Sequence, residues 1–334
     1  MDHTMEDMLH TSHTNYTPRS RGKQQFSLGG VTCISAEEDA DIDGLDELLH
    51  QTWNVFGVST LFNFHLDEVH LKQYAKRLRE ELANNLAQEN VTYSAQFSVM
   101  DNITSRPSSL DPLPIKINVY AKNNSYETAV EKNIYNGILL SWRTSKGELT
   151  VANSIRLPLL LCRGTRNTMR TVHNVLNLMF DCIIIALPAQ EHDLIWLVPI
   201  IITPTSKEEY PKRTDEICMV YKIPEHSDTI AIKCCVLDLI KFLEVIMKDK
   251  NDAEISFNLE HIEMFREALY TQIQESSGLQ LGLCTLYKIH LPVLTIMENK
   301  MKVMTTDAMN RVLLYLNEKA VDTFHTLNFE THVV

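Results

Sequence analysis

Three arginines near the start of a predicted helix form the clearest pattern for ligand binding in the sequence. Arg163, Arg166 and Arg170 have the spacing i, i+3, i+7, which puts them on one face of a helix that begins early enough. Guanidinium groups in such a row donate hydrogen bonds to phosphates, so the pattern predicts a phosphate-binding face. Lys300 and Lys302, at a predicted hairpin, extend this basic patch. The alternative is a solvated face, or pairing with the chain's surplus carboxylates.

Residues for catalysis or metal binding form no comparable pattern. The sequence contains no glycine-rich phosphate loop, nucleophile elbow, zinc-protease motif or EF-hand loop. His65 and His70 do not share a helical face, and the helical carboxylates, such as Asp238 and Glu244, are typical of a solvated surface. We therefore expect no enzymatic activity, no metal and no cofactor. A site assembled from residues distant in sequence is the alternative that stays open.

The cysteine pattern favours reduced thiols. The chain has 7 cysteines, an odd number, and none belongs to a Cys-x-x-Cys pair, so neither a disulfide framework nor a zinc site is indicated. We expect core thiols in an intracellular protein. The N-terminus has neither the basic nor the apolar part of a secretory signal. The most apolar window, 182–203, is interrupted by prolines and charged residues, so no transmembrane helix is predicted.

Charge and length set broad limits on function. The 31 lysines and arginines against 43 aspartates and glutamates give a formal net charge of −12. This balance argues against a protein that binds nucleic acid by itself without sequence preference, because such proteins need a positive surface. A local basic patch remains compatible with it. The length of 334 residues allows one large domain or two smaller ones, with a core that needs no disulfide or metal.

Apolar periodicity predicts interspersed helices and strands behind a polar tail. Residues 1–43 carry no sustained apolar period, which predicts a disordered N-terminal tail. A helical spacing of apolar residues from 43 to 56 predicts the first ordered helix, and a period of two over 91–99 predicts a strand with one polar face. Further helices are predicted over 67–86, 165–180, 236–248, 258–276 and 306–324, and further strands over 61–64, 115–119, 134–143, 217–223, 229–234, 279–291, 293–297 and 301–304.

The predicted fold class is α+β, with a mixed, mainly antiparallel sheet or sheets and flanking helices. The tail is followed by an N-terminal α+β half over 44–205 and a C-terminal α+β half over 206–334. A hairpin turn is predicted at 144–147, and the apolar stretch from 183 to 202 is too uniform for periodicity to assign.

Several short motifs are similar, in order and spacing, to those of the centromere protein L (CENP-L) family of the inner kinetochore. The resemblance rests on Leu48-Leu49-His50, Trp53, Leu61-Phe62, Phe64, Tyr74, Leu157-Pro158-Leu159, Phe180-Asp181-Cys182, Val312-Leu313, Tyr315-Leu316 and Glu318. It extends from Leu45 to Phe324. The stretch from 206 to 280 matches by pattern only, and the segment before Asp43 does not match.

The resemblance implies a non-enzymatic scaffold subunit of the inner kinetochore, in the nucleus and at the centromere, that acts in chromosome segregation and cell division. It implies a heterodimer with a CENP-N-like protein, through a C-terminal sheet that continues across the two chains, and contacts with other inner-kinetochore subunits. Centromeric DNA or the nucleosome is then contacted mainly through the complex, and no membrane is involved. A net charge of −12 is unfavourable for a chain that embraces DNA, so most phosphate contacts are expected from the partners.

The segment 283–304 is the predicted edge for this pairing. Apolar groups occupy both faces over 283–290, and the following pair of short strands is rich in methionine, which adapts to irregular surfaces. An exposed edge of this kind is an interaction site or an aggregation hazard. The predicted partner-binding residues are Leu283, Thr285, Tyr287, Ile289, Val293, Thr295, Met297, Met301 and Val303. The alternative is an ordinary set of internal strands.

A second function from a different class also stays open at this stage. The chain is then an enzyme or a small-molecule-binding α+β protein whose site is not local in sequence. A deep pocket lined by convergent polar groups favours this second function. A flat, pairable edge strand near the C-terminus favours the scaffold.

Overall fold

The ordered chain is organised around one large sheet. A computed structural model describes residues 25–27, 44–86, 88, 90–103, 107–108, 111–124, 130–143, 153–204, 211–225, 228–247 and 256–330. Within these residues, eleven strands join into one sheet, and every pairing in it is antiparallel. The predicted α+β class is therefore confirmed.

Strands and helices follow one another along the chain. The strands are β1 (Gln25–Ser27), β2 (Thr52–Val58), β3 (Leu61–Phe62), β4 (Val91–Val99), β5 (Ile115–Asn123), β6 (Lys132–Leu140), β7 (Ser154–Ile155), β8 (Leu159–Gly164), β9 (Ile184–Ala186), β10 (Glu216–Lys222), β11 (Thr229–Cys235), β12 (Ser256–Asn258), β13 (Thr285–His290), β14 (Leu294–Met297) and β15 (Lys300–Val303). The helices are α1 (Glu68–Leu86), α2 (Arg166–Phe180), α3 (Glu191–Ile202), α4 (Val236–Ile246), α5 (Leu259–Ser277) and α6 (Thr306–Glu330).

The sheet passes through both halves of the chain. Its order is β11-β10-β13-β14-β15-β2-β8-β6-β5-β4, with β9 paired to the last residues of β2. Strand β2 is therefore central, because it joins β15 of the C-terminal half to β8 of the N-terminal half. The predicted boundary between two halves, at residues 205 and 206, lies outside the described residues and stays a prediction.

The two halves of the sheet are covered on opposite faces. In β2, Trp53 and Val55 point into one core, which also contains apolar residues of α3, α4, α5 and α6. Phe56 and Val58 point into a second core with apolar residues of α1 and α2. This division follows from the alternation of side chains along a strand. The face that α1 and α2 cover in the N-terminal half thus continues into the C-terminal half as a row of partly exposed and exposed side chains on β15, β14 and β13.

The predicted helix over 43–56 is wrong. A 3-10 turn, Leu45–Leu48, is followed by the central strand β2. The turn and the strand together bury the apolar residues that have helical spacing, because Leu45, Leu48 and Trp53 all lie in one core. Strand pairing on both edges of β2 outweighs the local helical pattern, because the conformation of a central strand depends more on its packing context than on local propensity.

The N-terminal tail is not wholly without structure. Strand β1 pairs with β12, and Phe26 is buried with its ring centroid 6.0 Å from that of Tyr315. The prediction of a disordered tail is therefore wrong for residues 25–27. The rest of the tail and the hairpin turn predicted at 144–147 lie outside the described residues.

Candidate interaction surfaces

The strands predicted as an exposed edge lie inside the sheet. Strand β13 pairs with β10 and β14, and β15 pairs with β14 and β2. The predicted edge is therefore wrong, because the central strand β2 of the N-terminal half covers the outer side of the β14–β15 hairpin. Sequence patterns near the C-terminus carry no information about this pairing, which joins residues far apart in the chain.

The nine predicted partner-binding residues divide by burial. Ile289, Met301 and Val303 are buried in the core on the helical side, so they do not form a contact surface. Leu283 and Thr285 are exposed. The others are partly exposed: Tyr287, Val293, Thr295 and Met297. A partner contact by the exposed and partly exposed members stays a prediction.

Among the residues that the structure describes, β11 is the open edge of the C-terminal half of the sheet. Antiparallel ladders bond alternate residue pairs. The Val236 amide donates to the Asp215 carbonyl at 2.9 Å, and the Ile223 amide donates to the Asp228 carbonyl at 3.2 Å, at the two ends of the β10–β11 ladder. These two hydrogen bonds fix which residues of the ladder are bonded, so the main-chain groups of Ile230, Ile232 and Cys234 point toward β10. The amides and carbonyls of the intervening residues, Thr229, Ala231, Lys233 and Cys235, therefore point away from the sheet.

Three lysines share the open face of the sheet. Lys300 is paired with Met297, and Met297 with Lys288, so these side chains lie on one face of β15, β14 and β13. Lys302 is two residues further along β15 and points to the same side. Lys288 is not predicted as a site residue, because strict alternation along β13 places it on the same side as the buried Leu286. The register shift opposite Val220 and Tyr221 of β10 turns Lys288 to the open face instead, and no sequence pattern marks this shift. We call Lys288, Lys300 and Lys302 the lysine face.

The lysine face is not neutralised by neighbouring carboxylates. On the adjoining strands, Lys222 pairs with Glu298 at 3.7 Å, and Lys233 pairs with Glu216 at 3.6 Å. Within the described part of the chain, no ion pair joins a carboxylate to any lysine of the lysine face. Cations without such partners remain free to contact phosphate, which is a favourable arrangement in a chain that is acidic overall.

The predicted row of arginines is only partly formed. Arg163 lies in β8 rather than in α2, and its guanidinium lies over the Trp53 ring, 5.0 Å from the centroid. Its assignment to an exposed helical face is therefore wrong. Arg166 and Arg170 are exposed on α2.

Helix α2 begins next to the lysine face. Met169 lies between the two exposed arginines in sequence, and its sulfur is 3.7 Å from the side-chain nitrogen of Asn54. Asn54 is in turn the ladder partner of Lys300. This chain of contacts places the start of α2, which carries Arg166 and Arg170, near the strand position of Lys300.

A cysteine, a histidine and a tyrosine meet beneath α2. The Cys162 sulfur lies 3.7 Å from Nε2 of His173, and the Tyr135 hydroxyl lies 3.4 Å from the same nitrogen. A Cys–His pair is an activated nucleophile only as thiolate and imidazolium. Burial raises the pKa of Cys162 to about 12 and lowers the pKa of His173 to about 4, so both groups are neutral at neutral pH. This pair is therefore suited to core packing rather than to nucleophilic attack.

Across the residues that the structure describes, no group of three or more histidine, cysteine, aspartate and glutamate side chains is arranged to hold a metal ion. Among the same residues, no helix has both the length and the apolar character that crossing a membrane requires.

The surfaces and fold define an α+β protein with one pairable sheet edge and one basic, uncovered sheet face in its C-terminal half. A family model for centromere protein L matches residues 47–321. Centromere protein L of Homo sapiens is 21% identical over 299 residues, covering 86% of this chain and 84% of that protein. Centromere protein L of Rattus norvegicus is 20% identical over 299 residues, with the same coverage.

The chain belongs to the centromere protein L family. This is a structural family of the kinetochore, and the chain is accordingly a nuclear protein of the centromere and kinetochore, connected with chromosome segregation and a member of a kinetochore complex. The predicted family is therefore confirmed.

Proposed function

We propose that this chain is a non-enzymatic scaffold that forms a heterodimer with a CENP-N-like protein and helps to assemble the inner kinetochore on centromeric chromatin. The observation that carries the proposal is the outer edge of β11, the last strand of the C-terminal half of the sheet, with which no strand among the described residues pairs. Family membership supports the cellular setting. Other inner-kinetochore subunits are proposed as further partners of the assembled pair.

Strand β11 is suited to accept a strand from the partner. The outward main-chain groups of Thr229, Ala231 and Lys233 repeat at the spacing of a β ladder and give affinity to any extended segment laid beside them. Their side chains are exposed, so a partner strand meets no covering element there. A long, flat, exposed edge is a hazard for a protein that stays alone, which favours an edge used in assembly.

The second part of the proposal concerns DNA. The lysine face, together with Arg166 and Arg170, contacts DNA phosphates once the heterodimer has formed. The cations are few and the chain is acidic, so this contact positions the complex on chromatin while the partners supply most of the affinity. Arg163 is left out, because its guanidinium lies over Trp53.

Proline substitution tests the edge. Ala231→Pro removes an outward amide of β11 without removing a bond to β10, and edge positions of this kind tolerate proline. We expect the variant to keep its circular dichroism spectrum and to lose co-purification with a co-expressed CENP-N-like protein. Ala95→Pro is the matched control, because Ala95 lies on the other edge strand of the sheet. Full co-purification by folded Ala231→Pro would show that the partner binds elsewhere.

Charge reversal tests the DNA contact separately. We expect the triple change Lys288→Glu, Lys300→Glu and Lys302→Glu to weaken DNA retention by the purified heterodimer and to flatten its salt dependence. Each lost phosphate contact lowers the log–log slope by about 0.9. Lys241→Glu, on the exposed surface of α4, is the control. An unchanged slope in an intact heterodimer excludes the lysine face as the DNA contact.

A further inference from the structure

The other edge of the sheet forms a groove with α1. The groove has a volume of about 570 Å³ and runs between α1 and the outer side of β4. Ser94, Ala95, Gln96, Phe97 and Ser98 line one wall. Leu71 and Ala75 of α1 contribute apolar contacts to the other wall. An edge strand that lines a groove is the setting in which an extended peptide adds to a sheet.

The main chain of β4 offers hydrogen bonds to this groove. The Met100 amide donates to the Pro114 carbonyl at 2.9 Å, and the Asn124 amide donates to the Asn90 carbonyl at 2.7 Å, at the two ends of the β4–β5 ladder. Because bonded residues alternate along an antiparallel ladder, the amides and carbonyls of the even-numbered residues of β4 point toward β5. The amides and carbonyls of Tyr93, Ala95, Phe97 and Val99 therefore point into the groove. Within the described residues, none of these four amides donates a main-chain hydrogen bond outside the β4–β5 ladder.

The α1 wall carries a row of cations. Lys72, Lys76 and Arg79 line the groove and are exposed. Helical rise separates Lys72 from Lys76 by about 6 Å, and side chains on one face of a strand repeat every 6.6–6.8 Å, roughly the same interval. Lys76 has no carboxylate partner among the described residues, and Arg79 is 4.0 Å from Glu80. Two carboxylates, Glu68 and Asp101, also line the groove. Lys72 is paired with Glu68 at 2.6 Å, so the free positive charge lies toward the Lys76 and Arg79 end.

We propose that this groove binds an extended acidic segment of a second partner protein, distinct from the one proposed to pair with β11, and that this segment adds to β4 as an extra strand. The added strand pairs with the outward groups of β4, and its side chains opposite Ala95 and Phe97 point toward α1. Acidic side chains at these alternate positions meet Lys76 and Arg79, while their methylene groups contact Ala75. This site is separate from the β11 edge and the lysine face, so it goes beyond the proposed function.

Charge favours a partner segment over a second copy of this chain. A two-fold pairing of β4 with itself would bring the Lys76 and Arg79 rows of both copies to one junction, where like charges repel. A DNA duplex has no ladder of amides and carbonyls that could pair with the outward main-chain groups of β4. An acidic strand forms hydrogen bonds with the main-chain groups of β4 and ion pairs with the cations of α1.

The probe is a fluorescein-labelled peptide of alternating threonine and glutamate, ten residues long by design and about 33 Å when extended. Its anisotropy is measured against the purified full chain. We expect saturable binding by this peptide, no saturable binding by the matching threonine–lysine peptide, and at least about tenfold weaker binding by a glutamate peptide with N-methylated amides on one edge. Equal binding of the acidic and basic peptides, or no saturable binding of the acidic peptide, overturns the proposal.

Variants of the chain locate the bound peptide. Lys76→Glu combined with Arg79→Glu is expected to weaken binding about tenfold, because attraction becomes repulsion. Arg77→Glu, exposed on the same helix but outside the groove lining, is the matched control and should leave affinity unchanged. Ala95→Pro, which removes a groove-facing amide, should also abolish binding, whereas Ala231→Pro should not.

The remaining outcomes are decisive as well. If light scattering shows a dimer of the isolated chain that Ala95→Pro converts to a monomer, a second copy occupies the groove and the proposal is wrong. The proposal is also wrong if a DNA duplex displaces the peptide from the unchanged chain and does not bind to the Lys76→Glu, Arg79→Glu variant. Failure of peptide binding with intact partner co-purification and DNA retention contradicts this groove alone and leaves the proposed function standing.

Discussion

The Arg163 guanidinium lies over the ring of Trp53, 5.0 Å from its centroid, and joins β8 to the central strand β2. Trp53 is fully buried, and its indole nitrogen donates a hydrogen bond of 2.8 Å to the Leu48 carbonyl. This contact connects the 3-10 turn, the central strand and β8. It also explains why an arginine that resembles a DNA contact in sequence has a structural role.

Replacement of Arg163 is expected to affect stability and not DNA binding. Arg163→Ala should lower the free energy of unfolding by about 1 kcal/mol, the size of a partly buried cation–π contact. Urea unfolding followed by tryptophan fluorescence measures the change. The salt dependence of DNA retention by the heterodimer should match that of the unchanged protein. A flatter salt dependence of DNA retention in Arg163→Ala would contradict the prediction that Arg163 does not contact DNA.

Acid should destabilise the fold through His173. Burial lowers the pKa of His173 to about 4, whereas a histidine in the unfolded chain titrates near 6.5. The unfolded state binds more protons between these values, so stability falls as the pH drops from about 6.5 toward 4 and then levels off. The full effect is at most about 3 kcal/mol at 1.36 kcal/mol per pKa unit. Urea unfolding at a series of pH values measures it.

Two variants isolate this effect from the rest of acid unfolding. His173→Gln should flatten the stability curve between about pH 4 and 6.5, the interval that separates the two protonation equilibria. His290→Asn, at an exposed histidine on β13, should leave the curve unchanged. An unaltered curve in folded His173→Gln would mean that other groups cause the acid sensitivity.

Local patterns predicted most individual elements but not their neighbours. The period of two over β4 and the helical stripes of α1, α2 and α6 predict these elements, because one face of each is buried. The pattern at 43–56 fails because β2 is paired on both edges, and burial from both sides removes the alternation that marks a strand. Strand order depends on pairings between distant residues, so the open edge was assigned to 283–304 instead of β11.

The candidate sites show the same limit. Lys300 and Lys302 are predicted to extend the arginine patch because they lie at the last hairpin, but Lys288 joins them only through the register of β13 and β14. The groove beside β4 was not predicted, since its basic wall reads as an ordinary solvated helix face. A wall of this kind becomes recognisable when the edge strand beside it is known.

Cysteine reactivity should follow burial. Burial raises the pKa of both Cys162 and Cys182 to about 12, and only the thiolate reacts with an alkylating reagent. With iodoacetamide at about pH 8, near the pKa of a free thiol, the folded chain should be modified at the partly exposed Cys218 and Cys284 well before Cys162 and Cys182. Peptide mass spectrometry over a time course measures the order. All four should react at similar rates in concentrated guanidinium, and rapid labelling of Cys162 in the folded chain would contradict its burial.

Arg311 should be one of the most sensitive positions in the fold. It is 1% exposed on α6, donates to the Ile200 carbonyl at 3.0 Å and to the Thr203 carbonyl, and pairs with Asp307 at 2.8 Å. It thus satisfies carbonyls at the C-terminal end of α3, where the helix dipole favours a cation. Arg311→Met should lower the free energy of unfolding by about 3–5 kcal/mol, the cost of breaking a buried ionic group, measured by urea unfolding.

A graded series separates this role of Arg311 from a general sensitivity of α6. Asp307→Ala should cost less than Arg311→Met, because Asp307 is partly exposed and its loss leaves both bonds from Arg311 to α3 in place. Lys241→Met, at an exposed cation on α4, should change stability by no more than about 0.5 kcal/mol. The loss of stability in Arg311→Lys should lie between the losses in Lys241→Met and Arg311→Met. An ammonium group keeps the charge but not the planar fork that reaches two carbonyls and a carboxylate together. Equal stability of Arg311→Met and the unchanged protein would show that the end of α3 does not depend on this arginine.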